Sequence, residues 1–177
     1  MIRGVLVAME KKERVLIYDT SAFIGGMDPQ AIQIPQWTTP ENLEEIRDRN
    51  TKEILQMAIK MGRLKLRSPS QNVINQIIKI TKETGDFPKL SDIDLKILAL
   101  ALEFRDENWH PIIMTDDYSI QNVASALKIE FKAITEAGIR SQLRWKVYCP
   151  GCNTDYPSNT SLKKCDVCGT KLKRKSY

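Results

Sequence analysis

Short apolar runs alternate along this chain with longer stretches of helical periodicity. Residues 14–19 (Arg-Val-Leu-Ile-Tyr-Asp) are rich in strand formers and close on a carboxylate followed by Thr-Ser, which predicts a buried strand with Asp19 at its C-terminal end. A Gly-Gly-Met-Asp-Pro loop follows. Thr39-Pro40-Glu41 has a capping hydroxyl and then proline at the first helical position, a helix start. That helix carries Glu44 and Glu45, helical spacing continues from Ile54 to Met61, and Gly62 ends it.

Leu64 to Leu66 predict a second short strand, and Ser70 opens a helix whose Val73, Ile74, Ile77 and Ile78 form one apolar stripe. Pro88 breaks the chain. Ser91 then caps a helix from Asp92 to Glu107 that is apolar on nearly every side, as a central buried helix is. Residues 111–115 (Pro-Ile-Ile-Met-Thr) predict another buried strand, with Asp116 and Asp117 at its C-terminal end. A helix from Tyr118 to Leu127 and a strand near Ile129 to Phe131 complete the series. Strands alternating with helices predict an α/β fold, a central parallel sheet covered on both faces. In such sheets sites gather at the C-terminal ends of the strands, where Asp19, Asp116 and Asp117 fall.

The end of the chain breaks this pattern. Cys149-Pro-Gly-Cys152 and Cys165-Asp-Val-Cys168 are two Cys-x-x-Cys knuckles at the separation of a tetrahedral thiolate cage, which zinc fits best. Gly151 and Gly169 are expected to supply the backbone freedom of the two turns. The rivals are disulfides, which call for an exported protein, and a redox dithiol, which needs no second copy. The apolar run from Val5 to Met9 is too short for a signal peptide. A cage of four protein thiolates leaves no open position, so this metal is structural and catalysis must come from residues before Cys149.

At 177 residues the chain suits one ordinary domain, expected over residues 1–140, and a small module over 144–177. No segment approaches the ~20 apolar residues of a membrane span, so a soluble, cytoplasmic protein is expected. Residues 1–139 hold 18 Lys and Arg against 20 Asp and Glu. Residues 140–177 hold nine against two, and the eight cations Arg144, Lys146, Lys163, Lys164, Lys171, Lys173, Arg174 and Lys175 are candidate nucleic-acid contacts on a rigid metal platform.

Three segments bring carboxylates to one rim: Asp19, the pair Asp116-Asp117, and Asp92/Asp94 at the start of the buried helix. Each has a local role open to it. Asp94 completes a capping box with Ser91, Asp116 caps the next helix, and Asp19 bonds the turn that follows it. Crowded together, carboxylates repel unless a divalent cation neutralises them, and oxygen-only ligands select Mg²⁺ or Mn²⁺. The one histidine, His110, precedes a strand and is a poor catalyst candidate. There is no Gly-x-x-x-x-Gly-Lys loop and no Gly-x-Ser-x-Gly elbow.

Tyr-Asp19-Thr-Ser-Ala, Leu-Ser-Asp-Ile-Asp94-Leu and Met-Thr-Asp-Asp117-Tyr-Ser resemble, in order, the acidic motifs of PIN-domain nucleases. With Glu45-Ile-Arg-Asp, Ile-Gln-Asn-Val and a four-cysteine ribbon, residues 14–177 resemble one branch, the D-site endonucleases that trim the 3′ end of small-subunit rRNA. The compact chain is similar to an archaeal counterpart. The resemblance implies a PIN-like three-layer α/β/α domain with a C-terminal zinc ribbon. It also implies metal ligands at Asp19, Glu45, Asp94 and Asp117, and hydrolysis leaving a 5′-phosphate and a 3′-hydroxyl. The choice of Glu45 over Glu44, Asp94 over Asp92 and Asp117 over Asp116 comes from the motifs; Glu44 and Glu45 both lie about 130° from the core direction.

The expected activity is therefore a Mg²⁺- or Mn²⁺-dependent endoribonuclease acting on precursor small-subunit rRNA in a pre-ribosomal particle, with an RNA-binding assembly factor as a candidate gate. The rivals are a toxin-type PIN ribonuclease acting on tRNA or mRNA, and a non-catalytic RNA-binding assembly factor.

Overall fold

The computed structural model describes residues 12–134 and 145–176. Five strands, β1 (Arg14–Tyr18), β2 (Gln36–Thr38), β3 (Leu64–Leu66), β4 (His110–Met114) and β5 (Glu130–Lys132), form one sheet in the order β3-β2-β1-β4-β5. Every pairing in it is parallel. The chain order reverses at β1, whose neighbours are β2 and β4, so a crevice opens beyond the C-terminal ends of β1 and β4.

The helices α1 (Thr20–Ile24), α2 (Pro40–Glu45), α3 (Arg49–Lys60), α4 (Gln71–Thr84), α5 (Asp92–Asp106) and α6 (Tyr118–Ala126) cover the sheet. Successive β1 side chains point to opposite faces. Val15 and Ile17 enter a core with α4, α5 and α6, while Leu16 and Tyr18 enter one with α1, α2 and α3. This is the three-layer α/β/α arrangement. In α5 every residue from Ile97 to Leu102 is buried, as an all-round apolar helix requires.

Three elements differ from the sequence expectation. One turn of helix, α1, for which no element was expected, fills residues 20–24 between Asp19 and the Gly-Gly-Met-Asp-Pro loop. The polar Gln-Trp-Thr of β2 is an inner strand: Gln36 is buried because Tyr18 Oη donates to its Oε1 at 2.8 Å and its Nε2 donates to the Pro29 carbonyl at 2.9 Å. The long helix after Thr39 divides at 46–48, where Asp48 accepts from Thr51 N–H at 2.7 Å and starts α3 afresh.

A second sheet, β7 (Asp155–Tyr156), β6 (Trp145–Tyr148) and β8 (Lys173–Ser176), is antiparallel and carries the cysteines at its end. It touches the larger domain at the end of α4: Ser158 Oγ donates to the Lys82 carbonyl at 3.4 Å, beside a cleft of about 360 Å³ lined by Phe87 and Asn159 among others. Half-buried Arg174 of β8 lies within Coulomb range of buried Asp86. The expected boundary at 140–144 and Arg144 lie outside the described residues.

Candidate active site and cysteine cluster

Asp19 leaves β1 at the crevice and is only 5% exposed. Its Oδ1 accepts the Thr20 N–H at 2.7 Å, and its Oδ2 accepts the hydroxyls of Ser21 at 2.7 Å and Thr115 at 2.9 Å. The backbone fixes this position, because Asp19 N–H donates to the Met114 carbonyl of the neighbouring strand at 3.1 Å. Burial raises the Asp19 carboxyl above its ordinary pKa, against the opposing pull of those hydrogen bonds.

Asp94 lies in the first turn of α5 and completes the capping box expected of it. Ser91 N–H donates to Asp94 Oδ2 at 2.7 Å, and Asp94 N–H donates to Ser91 Oγ at 3.2 Å. Its carboxyl is also raised, first by burial and then by the negative charges of Asp19 and Asp117. Three carboxylates from separate chain segments thus feel one another across the crevice.

Asp117, not Asp116, caps α6: its side chain accepts the Ser119 N–H at 2.6 Å. The Asp117 N–H donates to Thr115 Oγ1, the same hydroxyl that donates to Asp19, at 3.0 Å. Asp116 accepts the Ile134 N–H at 2.7 Å and so ties down the segment after β5. The expectation of a capping Asp116 is corrected: its Oδ1 serves the segment after β5. Glu45 is exposed at the end of α2, with Oε2 2.9 Å from Thr20 Oγ1 and hence one residue from Asp19. Glu44 lines a different surface, with Lys52 and Gln56. His110 sits at the other end of β4, paired with Glu130 at 2.7 Å.

Among the described residues no Lys or Arg forms an ion pair with Asp19, Glu45, Asp94 or Asp117. Mutually repelling, partly buried carboxylates with no cationic side chain suit a hard divalent cation. They are more widely set than the sulfurs: among the described residues no three acidic side chains bring one oxygen each within 4.8 Å of one another. Sequence reasoning passed over Ser21 and Thr115, whose hydroxyls orient Asp19. Their only sequence signal is adjacency to the acidic motifs.

The four cysteine sulfurs all lie within 4.8 Å of one another, with 3.3 Å between Cys149 and Cys168 and 3.5 Å between Cys152 and Cys165. None is in a disulfide. Both knuckles make the same turn. Asn153 N–H donates to the Cys149 carbonyl and Gly169 N–H to the Cys165 carbonyl, each at 2.9 Å. The left-handed residues are Asn153 (φ 60°) and Gly169 (φ 74°), so the freedom expected of Gly151 belongs to Asn153. Gly151 is needed for closeness instead: a Cβ there would stand 2.6 Å from Thr170 Oγ1. Tyr156 Oη lies 3.1 Å from the Cys165 sulfur and closer still to Asp166 Oδ1; its approach lowers the Cys165 thiol, while burial raises that of Cys149. Four converging sulfurs fit a tetrahedral ion.

Of the expected cationic set, Lys146 is paired with Asp155 at 2.6 Å, and Arg174 is half-buried within Coulomb range of Asp86. Lys163, Lys164, Lys171, Lys173 and Lys175 are exposed. Lys173 and Lys175 share one face of β8, and Lys175 Nζ lies 4.4 Å above the Tyr148 ring.

The sheet order and the acid-lined crevice define a PIN-domain ribonuclease, and a family model for the PIN domain of ribonuclease matches residues 16–104. Endoribonuclease Nob1 of Methanocaldococcus jannaschii is 40% identical over 162 residues, 92% of this chain and 78% of that protein. Its counterpart in Methanothermobacter thermautotrophicus is 34% identical, over 91% of this chain and 92% of that protein. The 20S-pre-rRNA D-site endonuclease NOB1 of Saccharomyces cerevisiae is 42% identical over 67 residues, 38% of this chain and 15% of that protein. The chain belongs to the Nob1 endoribonuclease family, and it is an endoribonuclease. Among the described residues no helix is long and apolar enough to cross a membrane.

Proposed function

We propose that this endoribonuclease cuts precursor small-subunit rRNA near its 3′ end, within a pre-ribosomal particle in the cytoplasm. The substrate follows from the family and from the name of the yeast relative. The division of labour is between a PIN domain over residues 1–140 that cuts and a ribbon over 144–177 that grips RNA. The observation that carries the catalytic reading is geometric: the Thr115 hydroxyl ties Asp19 to the Asp117 backbone at one rim, and among the described residues no Lys or Arg is paired with Asp19, Asp94 or Asp117.

Asp19, Asp94, Asp117 and Glu45 would hold Mg²⁺ or Mn²⁺. When bound, such an ion lowers the pKa of a coordinated water and offsets charge on the scissile phosphate. Asp19 is the fixed reference of the set, because Ser21 and Thr115 hold one of its oxygens and the Thr20 N–H holds the other. The capping bond to Ser91 occupies Asp94 Oδ2 and leaves Oδ1 for the crevice. Asp117 is oriented through the Thr115 hydroxyl and the Ser119 N–H.

Zn²⁺ is the ion assigned to the four thiolates, by donor set and coordination number. The exposed lysines of the ribbon, Lys163, Lys164, Lys171, Lys173 and Lys175, would neutralise RNA phosphates. The test is cleavage of an RNA spanning the 3′ boundary of small-subunit rRNA, with and without Mn²⁺. A metal-dependent cut near the boundary is expected. Scattered cleavage of this RNA and of unrelated tRNA at equal rates would overturn the substrate assignment.

A further inference from the structure

Asn42 of α2 is fully buried, and its amide can be oriented without ambiguity. The Tyr18 carbonyl can only accept, so the Asn42 atom 3.0 Å away is Nδ2. Thr38 Oγ1 spends its one hydrogen on the same carbonyl at 2.8 Å. It therefore meets Asn42 Nδ2, also at 2.8 Å, as an acceptor. Both amide hydrogens are placed, and Asn42 Oδ1 is left pointing at Thr20 Oγ1.

Thr20 has a single hydroxyl hydrogen and two oxygens in reach, Asn42 Oδ1 and Glu45 Oε2, the first being the closer. It can serve only one. Asn42 is sealed from water, whereas Glu45 is exposed and can be hydrated. A bare buried acceptor is the more costly of the two, so the hydrogen goes to Asn42. Thr20 then has no hydrogen left for Glu45, which among the described residues accepts from no other side chain.

We propose that Asn42 is a positioning residue: by claiming the Thr20 hydrogen it leaves Glu45 at the crevice without a side-chain donor, open to a divalent cation. The inference rests on the reading of Glu45 as a cation ligand. With the amide removed, Thr20 is free to donate to Glu45 and competes with the cation. A hydrogen bond to a charged group is strong enough for that competition to weaken cation binding roughly tenfold.

The test is Mn²⁺ affinity by calorimetry on the full chain, for wild type, Asn42→Leu, Thr20→Val and the double variant. Asn42→Leu should weaken binding roughly tenfold in the wild-type background and have no further effect once Thr20 is valine. Equal weakening in both backgrounds would show that Asn42 acts through the general fold, and the proposal would fail. Glu45→Gln, run alongside, separates the two readings: unchanged Mn²⁺ affinity there sinks the ligand role of Glu45 itself. A measurement on the wild type avoids any folding defect of the variants. The Thr20 hydroxyl proton should exchange slowly with solvent in NMR spectra, show a cross-peak to the Asn42 amide, and persist through Mg²⁺ titration. Loss of that signal on adding Mg²⁺ would place the hydrogen on Glu45 and overturn the assignment.

Discussion

Thr115 joins two acidic residues through one hydroxyl, donating to the Asp19 carboxylate Oδ2 at 2.9 Å and accepting the backbone N–H of Asp117 at 3.0 Å. The end of β4 is thereby locked to the end of β1, and both carboxylates are aimed at one crevice. Thr115→Val keeps the shape and removes the link. Cleavage should fall about 10–100-fold, the usual effect of losing an outer-shell partner of a metal ligand. Excess Mn²⁺ should recover part of the loss in a steady-state assay. Activity unchanged at limiting Mn²⁺ would mean that the hydroxyl does not orient the site.

Stability should depend on pH through the same carboxylates. Burial raises the Asp94 carboxyl, and the charges of Asp19 and Asp117 raise it further, above its ordinary value of 3.8. A carboxyl with a raised folded pKa contributes most to stability below the unfolded value and loses that contribution as pH rises through the folded value. Asp94→Asn keeps an oxygen for the Ser91 N–H and carries no charge. In metal-free buffer at pH 7 it should melt higher than wild type. The gap should close as pH falls toward 4, and Mn²⁺ should raise the melting temperature of wild type more than that of the variant.

The parts legible in the sequence share one cause. β1 and β4 are continuous apolar runs because both faces of the sheet are covered, and each ends where a carboxylate can surface. The residues that finish the site gave no such signal. Gln36 is polar yet lies in an inner strand, because Tyr18 and two backbone carbonyls satisfy it. Asn42 reads as an ordinary helix residue, and only the approach of Tyr18, Thr38 and Thr20 gives it a role. β8 is polar throughout, so no hydrophobic period could mark it; its partner β6 and the cysteine cluster hold it. The choice of Asp117 over Asp116 comes from the motif; each carboxylate holds a backbone N–H, Asp116 that of Ile134 and Asp117 that of Ser119.

The ribbon lysines should differ in effect. Lys173 and Lys175 are exposed on one face of β8, whereas Lys146 is already paired with Asp155. Changing Lys173 and Lys175 to Gln should flatten the salt dependence of single-stranded RNA binding by roughly 0.7 for each phosphate left without its lysine. Lys146→Gln should leave the slope near that of wild type. Fluorescence anisotropy across a series of KCl concentrations measures both.

Loss of the cysteine cage should uncouple the two parts of the chain. Cys152→Ser removes one of four sulfurs. The ribbon should then lose its bound zinc, measured by atomic emission, and its RNA affinity at moderate salt should fall. The five-stranded domain draws no ligand from the cage and should keep its own melting transition. Joint unfolding of both units would show that the larger domain depends on the ribbon.

The central claim is that folding gathers acids from separate segments into one cation site, and crystals grown with Mn²⁺ test it directly. The anomalous difference map should show Mn²⁺ in the crevice among Asp19, Asp94, Asp117 and Glu45, and that signal should vanish in Asp94→Asn. A crevice without manganese at saturating concentration, in an enzyme that still cuts RNA, would contradict it.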